Sequence, residues 1–139
     1  MPLSIVLLVV VALASIAALF SGGSFLEAAL PGGLPVGNAL VVIALCSLAC
    51  AAIALSPPGT FARYVSVASL VAAAAWLPVS IALAGNLELN FSDAGWDAWV
   101  ALSLATVALV FVAMGWAAID HLIKRRSQRG SERGPETIQ

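Results

Sequence analysis

Charge is what this chain has least of. Of 139 residues only 9% are Asp, Glu, Lys or Arg, against about 25% in an ordinary soluble domain. Eight of those charges fall in residues 120–139, which leaves Glu27, Arg63, Glu88, Asp93 and Asp97 for the first 119 positions. A water-soluble domain of this length cannot cover its surface with so few. Nucleic acid is excluded as a partner, because Lys and Arg total six and all but Arg63 lie in the tail. Histidine occurs once, as His121, so haem held by two histidines is impossible within one chain and a His-based metal site is not expected. No glycine pair precedes Lys-Ser or Lys-Thr, so a phosphate loop is also missing.

What the chain has instead is long apolar runs. A bilayer core about 30 Å thick needs about 20 such residues in helical form. Four runs qualify: residues 3–20, 36–55, 65–84 and 98–119, none containing a charge. In the first, twelve of eighteen residues are Leu, Ile, Val or Phe, enough to favour insertion by roughly 4–7 kcal/mol. The third is the weakest, with Ser66, Ser69, Ser80 and an internal Pro78. Neighbouring helices can satisfy the backbone group that the proline frees. The runs are too long and too continuously apolar for strands. The expected fold is therefore an all-α integral membrane protein, a compact four-helix transmembrane bundle over residues 1–123 with a disordered basic tail at 124–139. Residues 1–23 are expected to stay as a span: they lack the basic start of a secretory signal, and their apolar run exceeds the usual 7–15 or so residues.

The few charges set a direction. The second connection carries Arg63, and the tail carries Lys124, Arg125, Arg126, Arg129 and Arg133; the first and third connections carry only acids. Positive charge resists translocation, so the second connection and both termini are expected inside the cytoplasmic (plasma) membrane. The basic start of the tail also suits anionic lipid headgroups. Trp96 and Trp99 fall at one end of the fourth run and Trp116 near the other, with Tyr64 at the mouth of the third, as interfacial anchors do.

Chemistry-bearing residues are sparse. No ionisable Asp, Glu, Lys, Arg or His lies within a run, so the proton and ion pathways that such groups mark are not expected. His121, beside Asp120, reads as a polar residue at a helix C-terminus. Cys46 and Cys50 stand at i, i+4 on one helix face, a spacing that rarely meets disulfide geometry. With Ala54 they read as packing residues. Ala68 with Ala72, Ser69 with Ala73, Ala101 with Ala105, and Ala113 with Ala117 repeat that spacing, which lets helices approach closely in lipid. Ser66, Ser69, Ser80, Ser103 and Thr106 can bond across helices or back to their own. Trp76 sits deep enough for its indole N–H to need a partner.

In the connections, residues 25–30 suit a helical turn, residues 87–91 alternate like a strand, and Ser92 or Asp93 suits a helix cap. Asn90-Phe91-Ser92 also matches a glycosylation acceptor. The expectation is a non-catalytic accessory or scaffold subunit of a transport or respiratory membrane assembly. It has no catalytic residue, cofactor or metal, and its partners are the bilayer and either a larger membrane protein or itself. The alternative is a small homo-oligomeric permease for a neutral or lipophilic solute, with Trp76, Pro78 and Ser80 along its path.

Overall fold

The computed structural model describes residues 2–91 and 93–131, with side chains for 2–91 and 95–126. Four helices make it up: α1 Leu3–Phe20, α2 Val36–Leu55, α3 Phe61–Ala84 and α4 Asp93–Ser131. Each is long and apolar enough to cross a membrane. At about 1.5 Å per residue the shortest, α1, reaches about 27 Å. The described residues contain no strand, only a single bridge between Ala29 and Pro35.

α1 and α2 coincide with their apolar runs, but α3 and α4 do not. α3 begins at Phe61, because Thr60 accepts a bond from the Arg63 backbone N–H at 3.3 Å and caps the helix there. It ends at Gly85, whose φ of +72° suits a residue without Cβ. α4 runs on to Ser131, well past the expected end at residue 119. The stretch 124–131, expected to be disordered, is helical. Lys124 pairs with Asp120 one turn back at 3.0 Å, Lys, Arg and Gln are good helix formers, and extending an existing helix is cheap. Residues 132–139 lie outside the described residues, as do Ser92 and the side chains of Asp93 and Arg129.

α2 is the hub and touches each of the other three helices. Its buried face is Ala44, Leu45, Leu48, Ala49, Ala51, Ala52 and Leu55. α1 rests on it through Ile5, Ala12 and Ser15, which are buried, with Leu8, Val9 and Ile16 partly buried beside them. α3 and α4 pair along a seam with the four-then-three rhythm of a heptad. Ala62, Ser66, Ser69, Ala73, Trp76 and Ser80 are buried on α3, and Thr106, Val110, Ala113 and Ala117 on α4. Gly95 permits the approach at one end: a Cβ there would lie 3.1 Å from the Leu83 carbonyl.

The small residues singled out in the sequence divide between these faces. Ser69, Ala73, Ala113 and Ala117 are buried. Cys46, Cys50 and Ala72 are half-buried, and Ala54, Ala68, Ala101 and Ala105 are exposed. In alanine-rich helices four-residue spacing occurs on every face. Only the faces that alternate four with three stay in contact over several turns.

Candidate functional site

The polar groups between the helices are largely committed to one another. Trp76 Nε1 donates to Ser103 Oγ at 2.9 Å, and Trp99 Nε1 donates to Ser80 Oγ at 3.1 Å. Two indoles on opposite helices thus each find the hydroxyl of the other helix, which fixes the antiparallel register of α3 and α4. Ser80 also donates to the Trp76 carbonyl at 2.6 Å. Ser15, Ser66 and Ser69 likewise bond back to their own helices. Trp76 and Ser80 are buried and Pro78 is exposed, two residues away on the far side of α3. Within the single chain the three therefore do not share one surface.

Around this seam the molecule has two chemically distinct ends. At the acidic end, formed by the first and third connections, Trp96, Trp99 and Phe91 stack with centroids 4.9–6.2 Å apart. The expected helical turn is a short 3₁₀ turn, Ser24–Glu27. The strand-like segment 87–91 is instead a turn. Asn86 bonds the Asn90 N–H and carbonyl, and Leu89 takes φ +58°. Side-chain alternation cannot outweigh a turn that the Asn86 side chain closes onto the backbone. The two connections enclose a cleft of about 430 Å³ lined by Glu27, Asn38, Glu88 and Asn90.

Just beneath the acidic end lies an apolar groove of about 380 Å³ between α1, α2 and α4. Ile16, Leu19 and Phe20 form one wall, Val107 and Phe111 the other, and Val41, Ala44, Leu45 and Leu48 the floor. Further toward the opposite end α1 and α4 share core clusters, Ala12 with Val110 and then Ile5 with Ala113 and Ala117. Sequence reasoning missed the residues of the groove. Leu and Val on a helix look alike whether they face a neighbour, a groove or lipid.

At the basic end Arg63 does more than carry charge. Its guanidinium donates to the Ile53 and Ser56 carbonyls at 2.8 and 3.3 Å, closing the last turn of α2. Phe61 stacks on Trp116 at 5.5 Å, and Tyr64 is exposed beside them. His121 is not at a helix end after all, since α4 continues for ten residues beyond it. Its Nε2 is buried and has no hydrogen-bond partner among the described residues. Comparison with protein-family models, curated proteins and solved structures returned no match to this chain.

Proposed function

We propose that this chain is a non-catalytic accessory or scaffold subunit of a larger membrane assembly, of the transport or respiratory kind. It would sit in the cytoplasmic membrane with its basic end and both termini inside. The observation that carries the reading is the groove between α1 and α4. It is apolar, open to the side and lined by three helices, so it offers a partner's transmembrane helix close contact, which drives association in lipid. The two indoles of the α3–α4 seam, meanwhile, are satisfied by Ser103 and Ser80.

The test is site-directed photo-crosslinking in native membranes, with the probe at Phe111 in the groove or at Val71 on the exposed face of α3. The expected outcome is one stoichiometric partner captured from Phe111 and not from Val71. It should be lost when Val107→Trp fills the groove and should persist through purification in mild detergent. A monodisperse protein with no partner from either position overturns the proposal. Saturable flux of a neutral solute through liposomes holding this chain alone would favour the permease instead.

A further inference from the structure

A second groove, of about 460 Å³, lies on the outward face of α4 toward the basic end. It is lined by Val112, Gly115, Trp116 and Ile119. It exists because Gly115 has no side chain: a Cβ built there meets nothing within 4 Å. Below it the same face continues through Leu122 and Ile123, 59% and 61% exposed, to Arg126. Those residues follow one another at steps of three and four, so the apolar strip and the cation share one side of the helix.

The charges at this end are unequally engaged. Arg63 is bound to the carbonyls of α2, and Lys124 is paired with Asp120. Arg125 and Arg126 are exposed and have no ion-pair partner among the described residues. Side chains on a helix lean toward its N-terminus. On α4 that direction is back toward the groove, so Arg126 leans over Leu122 and Ile123, with Arg125 next to it round the helix.

We propose that this face binds one anionic phospholipid of the adjacent leaflet. An acyl chain would lie along Ile119 into the Gly115 groove, and the phosphate would rest on Arg125 and Arg126. Charge complementarity selects the occupant. An apolar channel leading to two exposed cations matches a chain joined to a phosphodiester, and a zwitterionic headgroup matches it less well. Guanidinium groups bind phosphate through paired N–H donors, and Trp116, packed against Phe61, walls the apolar groove where the chain would lie.

The proposal rests on the membrane reading, and its test separates the two. The full chain, delipidated in detergent, is offered equimolar phosphatidylglycerol and phosphatidylcholine with identical chains, and bound lipid is read by native mass spectrometry. Phosphatidylglycerol is expected to dominate, with R125Q and R126Q each reducing the preference about fivefold. Gly115→Leu, for which the backbone has room, should lower retention of both lipids without changing their ratio. Glycerol phosphate without chains should not compete.

Equal retention of the two lipids, an unchanged ratio in the arginine variants, or unchanged retention in Gly115→Leu overturns the site. Arginine-dependent crosslinking to an acidic protein, without lipid preference, also overturns it by assigning the surface to a protein. Alkaline carbonate distinguishes the premises. Release of the chain from membranes sinks the membrane reading, whereas a chain that stays put and shows no preference sinks the lipid site alone.

Discussion

A buried indole has one polar atom to place, and between apolar helices it has few choices. Trp76 solves this with Ser103, a residue twenty-seven positions away, while Trp99 uses Ser80. Hydrogen bonds between membrane helices are worth about 0.6 kcal/mol on average and at most about 1.7. Leaving a buried donor unpaired costs about 1–3 kcal/mol. Ser103→Ala is therefore expected to destabilise the bundle by about 1 kcal/mol, and Trp76→Phe by a similar amount beyond its lost area. Trp76→Phe with Ser103→Ala should fall short of the sum by about 0.6 kcal/mol, read by steric trapping in bicelles. Strict additivity would mean that the bond holds nothing. Trp76's need for a partner was legible in the sequence, and Ser103 was among the hydroxyls available. The pairing was not, because it depends on the register of two helices that the sequence does not align.

Helix ends carry the clearest difference between hydropathy and structure. Apolarity locates what is long enough to span, and α1 and α2 coincide with their apolar runs. Capping and charge pairing decide where a helix stops, and they extended α3 back to Phe61 and α4 on to Ser131. Arg63 shows the second role such a residue takes on. The sequence presents it as an orienting charge, yet it also closes α2 from the first turn of α3. Arg63→Ala should leave the Ile53 and Ser56 carbonyls without this donor and cost about 1 kcal/mol. Faster proteolysis within residues 56–60 is the expected readout. Arg63→Lys should recover only part of the loss, since an ammonium lacks the planar fork that reaches two carbonyls. Full rescue by lysine would show that the charge alone matters.

For the molecule as a whole, the asymmetry of its ends predicts its orientation. The described cations, Arg63, Lys124, Arg125 and Arg126, are grouped at one end, and Glu27 and Glu88 line the cleft at the other. Helices α1 to α4 alternate in direction along the seams, so the first and third connections must share a side. The Lys/Arg bias sets orientation and acids contribute little to it, so the acidic end should be the one exported. With Cys46 and Cys50 replaced by Ala, a single cysteine at Ala28 should react with an impermeant maleimide on intact cells. One at Gly59 should react only after lysis. Arg63→Glu should weaken the bias without reversing it, since the C-terminal cluster remains. Changing Lys124, Arg125 and Arg126 to Gln as well should produce a mixed population labelled at both sites. If Gly59 is labelled in intact cells carrying every native charge, the bundle is inverted. Arg125 and Arg126 would then face the opposite leaflet, and the lipid they select would have to be sought there.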